Sequence, residues 1–424
     1  MLQELMRANL EGAPRGIYAV CSAHGLVLEA AMEQALTDDS PLLIEATANQ
    51  VNQFGGYTGM QPADFFDYVM TLASRTGLDS SRIILGGDHL GPVCWQKEPA
   101  AEAMAKARDL IDAYVSAGFS KIHLDCSMPC ADDSLPLADE IIAERAADLC
   151  RAAEDTAARH GTEGKVVYVI GTEVPPPGGA KEEITELEVT QPAHARNTIE
   201  LHRSAFAARD LNDAWSRVIG LVVQPGVEFD HTSVIDYQPH KANALKALAL
   251  ETDGIAFEAH STDYQTEANY RQLVRDHFAI LKVGPQLTFA LREALFALSH
   301  IEDELPGITD RSNLRAVCEE RMQAQPAYWQ SFYEVSRERQ PLYRRYSYSD
   351  RIRYYWPDST VNKAVTRLLD NLSGTQIPLP LLSQFFPQEY RQVREGQLEN
   401  EPRALIKARI RQVTTAYANA CWKQ

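Results

Sequence analysis

The chain has 424 residues, 45% of them hydrophobic and 23% charged, and carries a net charge of −17. That composition is globular, and the length suits one large domain with an extension. The acidic balance, without a basic run, disfavours nucleic acid and membrane surfaces as partners, and no stretch of about 18 apolar residues offers a membrane span. The opening MLQELMRANLEG lacks the apolar core of a signal peptide, and the seven cysteines are scattered, with Cys126 and Cys130 the one close pair. Reduced thiols and a cytoplasmic setting are expected.

Eight short β-rich runs follow in chain order: Gly16–Cys21, Pro41–Thr47, Arg82–Asp88, Lys121–Asp125, Lys165–Thr172, Arg217–Gln224, Gly254–His260 and His277–Gly284. Stretches between them, such as Ala101–Ala117 and Ala138–Ala158, repeat apolar residues at helical spacing. The alternation predicts an α/β fold with a parallel sheet, and eight strands predict a (β/α)8 TIM barrel over residues 1–305. A doubly wound sheet would usually carry G-x-G-x-x-G after an early strand, and there is none. From 306 to 424 Tyr, Trp, Arg and Pro become frequent, which predicts a mainly helical C-terminal extension packed on the barrel.

A barrel strand is covered on both faces and should read as nearly pure Val, Ile and Leu. Here the carboxyl ends read otherwise: Glu45 with Asn49, Asp88 with His89, Asp125, Glu173, Gln224 with His231, Glu258 with His260, and Lys282. Those ends share one rim in a parallel barrel, where catalytic groups gather. So many charges in an apolar core would be costly without partners or a metal.

At Asp88-His89 the functional reading makes His89 a metal ligand and Asp88 an acid/base, against an Asp–His pair bonded within a turn. Flanking glycines would let a ligand approach the backbone. Glu173 precedes Pro-Pro-Pro-Gly-Gly and reads as a group for substrate hydroxyls or proton transfer, or as a loop anchor. Glu258 and His260 are two apart and share a strand face, as a ligand with its supporting carboxylate or as a core pair. Either Gln224 or His231 supplies a third possible ligand. Lys282 suits a substrate oxygen or phosphate, or a buried pair with Glu45 or Glu258. The amides from Asn49 to Gln53 suit polyol hydroxyls, or simply a turn. His123, lower in its strand, reads as a core histidine. Neither a P-loop nor a G-x-S-x-G elbow occurs.

The strings LLIEATANQVNQFGGYTGM, ILGGDHLGP, AGFSKIHLDCSM, YVIGTEVPPPGG, VVQPGVEFDH, EAHSTDYQ, HFAILKVGP and SDRIRYYWP resemble the accessory, non-catalytic subunit family of class II D-tagatose-1,6-bisphosphate aldolase. The resemblance implies a barrel that joins a separate catalytic subunit and supports its activity and stability. The pathway implied is breakdown of galactitol and N-acetylgalactosamine through tagatose 6-phosphate. A more distant similarity to the catalytic class II aldolases implies an acid/base at Asp88 and a divalent metal, zinc first, at His89 and His260. It also implies carboxylate roles at Asp125 and Glu173, while the sixth-strand ligand has only Gln224 or His231 as counterpart. Glu45, Asn49, Gln53, Glu258 and Lys282 are the expected substrate-binding groups, for a small sugar phosphate. The alternative is a metal-dependent enzyme, such as a tagatose 6-phosphate/fructose 6-phosphate 4-epimerase working by retro-aldol and aldol steps. A homo-oligomer is left open.

Overall fold

The computed structural model describes residues 1–171 and 187–423. Eight parallel strands close into a barrel: Ile17–Val20, Leu42–Thr47, Ile83–Leu90, Lys121–Leu124, Val167–Ile170, Val218–Val223, Ala256–Ala259 and Phe278–Val283. The eighth strand pairs with both the first and the seventh, so no edge remains to be protected. Each strand lies within its predicted run, except that the third continues to Leu90.

Side chains alternate in and out along each strand. Outward residues such as Tyr18, Ile44, Leu85, Ile122 and Phe257 pack beneath a ring of helices. Inward residues form a second, smaller core of Ile17, Leu43, Ile84, Val167, Ile219, Ala256 and Ile280 at the lower end. Helix Leu2–Leu10 joins this inner core through Leu2 and Met6. The polar opening of the sequence concealed that role, because Leu2 and Met6 are only one turn apart on one face.

Beyond helix Pro285–Glu304 the chain is helical, as expected for the extension. Its last helix, Pro402–Trp422, lies against Gly25–Asp38, Glu267–Arg275 and Pro285–Glu304 and reaches the first strand, where the buried Tyr417 ring lies 5.8 Å from Tyr18. The Arg- and Tyr-rich stretch is largely buried: Arg344 pairs with Glu319 and stacks 4.7 Å over Trp329, while Arg351–Tyr355 forms a 3-10 turn. No helix among the described residues is long and apolar enough to cross a membrane.

Candidate functional site

Above the apolar layer the barrel interior turns ionic. Lys121 Nζ lies 2.6 Å from Glu45 and 2.7 Å from Glu258, with all three side chains fully buried. Lys282 pairs with Glu45 and stands 2.8 Å from Asp88 and 3.7 Å from Glu258. Neighbouring strands hold these groups in register, Glu45 beside Gly86 and Gly86 beside Lys121. A side chain at Gly86 would meet Glu45 Cγ at 2.8 Å, and one at Gly87 would meet Leu90 and Tyr114. The paired glycines therefore make room for neighbouring side chains, a packing reason distinct from the ligand approach expected of them.

Three imidazoles crown this layer. The rings of His89, His123 and His260 form a triangle with centroids 5.1, 5.1 and 5.4 Å apart. His89 Nδ1 lies 2.7 Å from Asp125 Oδ2, and His260 Nε2 lies 2.8 Å from Glu258 Oε1. His123 spans Asp88, at 3.0 Å, and the carbonyl of Gly171, at 3.1 Å. Simple alternation would send Asp88 and His89 to opposite faces. Instead the strand slips register between Gly87 and Leu90, and His89 takes φ +50°, so both side chains face inward. A left-handed histidine is strained by roughly 1–2 kcal/mol, and strain of this kind concentrates at functional sites.

Burial acts against every charge here, and local partners decide the outcome. Burial raises Asp88, but His89, His123 and His260 pull its carboxyl well below the usual range. Asp125 is likewise raised by burial and pulled well below by His89. For His89 burial lowers the pKa, yet Asp88 and Asp125 outweigh it and lift it to about 9. Lys282 is brought down by burial to about 8. Burial also pushes the neighbouring Cys21 thiol up to about 12, so it stays protonated.

Asp88, His123, Glu258 and His260 each bring one donor atom to within 4.8 Å of the others. Four buried carboxylates (Glu45, Asp88, Asp125 and Glu258) face two ammonium groups, Lys121 and Lys282, an excess of two negative charges that the proton on His89 offsets only by one. A divalent cation balances that excess, and a nitrogen–oxygen donor set suits zinc or its first-row neighbours. The residues fit a metal.

The other expected groups divide. Asp88, His89, Asp125, His260, Lys282 and Asn49 line one cavity of about 770 Å³ at the barrel mouth, with Glu45 and Glu258 in the ionic layer beneath. Glu173 lies outside the described residues. His231 does not join the cluster. Its Nε2 lies 2.9 Å from the Phe332 carbonyl, which requires a donor, and its Nδ1 faces the hydroxyls of Ser347 and Ser349. That corrects the expected ligand role: the ring clasps the extension. Gln224 turns back onto its own loop, accepting from the N–H groups of Gly226 and Val227. Gln53 donates to the Lys106 carbonyl and leaves the cavity wall to Gln50 and Asn52.

His123, which the sequence reads as a core histidine, stands in the donor cluster, and Lys121, to which the sequence reading gives no role, holds the carboxylates beneath it. Their signal was the inward alternation of Lys121, His123 and Asp125, which puts all three on one face. Arg351, Arg353 and Tyr354 of the extension also line the cavity, and no local pattern ties them to a barrel whose last strand ends at Val283, 68 residues before Arg351.

One solved structure agrees with this architecture over nearly the whole chain. A probable tagatose 6 phosphate kinase from Sinorhizobium meliloti 1021 is 48% identical, with a TM-score of 0.89 over 96% of this chain and 100% of its own. The YdjI aldolase of Escherichia coli K12 is 13% identical, with a TM-score of 0.42 over 91% of this chain and 98% of its own. The fructose-bisphosphate aldolase of Campylobacter jejuni gives 14% and 0.44, over 88% of this chain and 91% of its own. The family model for the D-tagatose-1,6-bisphosphate aldolase subunit GatZ/KbaZ-like matches residues 2–422. This chain belongs to the GatZ/KbaZ-like family of D-tagatose-1,6-bisphosphate aldolase subunits.

Proposed function

We propose that the chain is the accessory subunit of a class II D-tagatose-1,6-bisphosphate aldolase, acting in the cytoplasm on the route from galactitol or N-acetylgalactosamine through tagatose 6-phosphate. It pairs with a separate catalytic subunit and sustains that subunit's activity. The family match over nearly the whole chain carries this reading.

A second reading rests on the barrel mouth. An inert brace has no need of a strained His89 or of four buried carboxylates beneath an open cavity. These favour chemistry on a ketohexose phosphate, with tagatose 6-phosphate and fructose 6-phosphate interconverted at C4. His123, His260 and Glu258, which with Asp88 bring their donor atoms within 4.8 Å of one another, would hold a divalent ion, with His89 as the further donor that the resemblance to the aldolases expects; when bound, the ion would supply Lewis-acid polarisation of a carbonyl. Asp88, kept ionised, takes the proton of the C4 hydroxyl as the C3–C4 bond breaks and its electron pair moves toward the C2 carbonyl. The aldehyde turns over, the bond re-forms on its other face, and Asp88 returns the proton to the C4 oxygen. Lys282, between Glu45 and Asp88, donates to a substrate oxygen. Glu173 is a further candidate for proton transfer.

The deciding experiment is an assay of the isolated chain, with zinc or manganese added, on tagatose 6-phosphate and tagatose 1,6-bisphosphate, with and without the catalytic subunit. An accessory subunit turns over neither sugar alone and protects its partner from inactivation. An epimerase works alone, and Asp88→Asn and His89→Ala abolish the reaction. Failure to bind or protect the catalytic subunit removes the accessory role.

A further inference from the structure

Tyr328, Phe332, Arg351, Arg353 and Tyr354 of the extension line part of the cavity above the ionic layer. Arg351 is only 5% exposed. Its Nε donates to the Tyr328 carbonyl at 2.6 Å, and its guanidinium carbon sits 3.5 Å above the Phe332 ring and 4.5 Å from the Tyr354 ring. Its Nη1 is buried without a hydrogen-bond partner among the described residues. Arg353 spends its donors on the carbonyls of Ser349 and Asp350 and on the Tyr354 hydroxyl. Among the described residues neither guanidinium has a carboxylate within ion-pairing distance. A buried cation left with an open donor is costly unless an anion completes it.

The usual phosphate station of such a barrel, in the loops after the seventh and eighth strands, is taken here. Asp263 Oδ1 accepts the N–H groups of Gly284, at 3.0 Å, and Gln286, at 2.8 Å, filling the N-terminus of helix Pro285–Glu304 with the chain's own carboxylate. A ligand phosphate must find its donors elsewhere on the cavity wall.

We propose that the C-terminal extension supplies the phosphate anchor of this site, with Arg351 binding the terminal phosphate monoester of a sugar phosphate through its open Nη1 and Arg353 adding charge beside it. The extension is thus part of the binding site as well as a cover. This rests on the sugar-phosphate reading of the barrel mouth. A planar guanidinium suits phosphate geometry, and clamping between two rings fixes its aim before ligand arrives.

Titration calorimetry on the full chain tests it, with D-tagatose 6-phosphate, D-tagatose and inorganic phosphate as probes and metal content measured in parallel. Wild type should bind the phosphorylated sugar well above the free sugar. Arg351→Met should remove most of that advantage, on the order of 30-fold, with metal content and free-sugar affinity unchanged. Arg351→Lys keeps the charge without the fork, should lose about tenfold, and serves if the Met variant does not fold. Wild-type phosphate affinity in either folded variant overturns the anchor and leaves the proposed chemistry standing. A wild-type chain that gains nothing from the phosphate overturns it as well. Loss of metal from wild type would strike the chemistry instead, and leave the anchor to be judged on phosphate affinity alone.

Discussion

His89 Nδ1 meets Asp125 Oδ2 at 2.7 Å, and this contact turns the opposite ring nitrogen, Nε2, to within 3.8 Å of Asp88. A carboxylate behind an imidazole fixes its tautomer and raises its basicity, as behind many metal-binding histidines. Asp125→Asn should therefore weaken divalent-metal affinity by about 10- to 100-fold while leaving the fold intact. Metal titration against a competing chelator measures this, and unchanged affinity would remove His89 from the ligand set.

Lys121 is the cation shared by Glu45 and Glu258, all three out of contact with solvent. Removing one partner of a buried ionic group leaves charge uncompensated, so Lys121→Met should destabilise the chain by about 3–5 kcal/mol. Adding Glu45→Gln should recover part of the loss. Denaturant unfolding of the single and double variants checks both.

Gly86 faces Glu45 across the sheet with no room for a methyl group. Gly86→Ala should cost about 1–3 kcal/mol through overpacking and disturb the Glu45–Lys282 pair. A melting temperature equal to that of wild type would show that Glu45 can step aside.

His231 holds the segment that carries Arg351, through Ser347, Ser349 and the Phe332 carbonyl. It is a positioning residue. His231→Ala should leave metal content unchanged and lower affinity for tagatose 6-phosphate by roughly tenfold, seen in KM rather than kcat if the chain turns over alone. Lost metal in this variant would restore the ligand role that the geometry denies it.

His202 is buried with Nδ1 bonded to the Thr198 carbonyl at 2.8 Å, and burial holds its pKa down to about 4. In the unfolded chain the value is about 6.5. Between these values the unfolded chain takes up a proton that the folded chain refuses, so this contribution to stability is complete above pH 6.5 and shrinks toward pH 4. The loss is about 1.4 kcal/mol per pH unit inside that window. His202→Leu should flatten the fall in melting temperature between pH 7 and 4.5.

The eight strands, their order of appearance and the polar strand ends were legible in the sequence, because a two-residue period and β/α alternation are local properties of the chain. Asp88, Asp125, Glu258, His260 and Lys282 could be read the same way, as charges where a covered strand should have none. What only the tertiary structure decided depends on distant segments meeting. The inward turn of His89 needs a register slip against the fourth strand. The move of His231 from ligand to clasp needs Ser347 and Ser349, more than a hundred residues away. The arginines over the mouth belong to a segment whose sequence shows charge and aromaticity but not the cavity they face, since closure of the barrel and the return of the extension over it create that cavity.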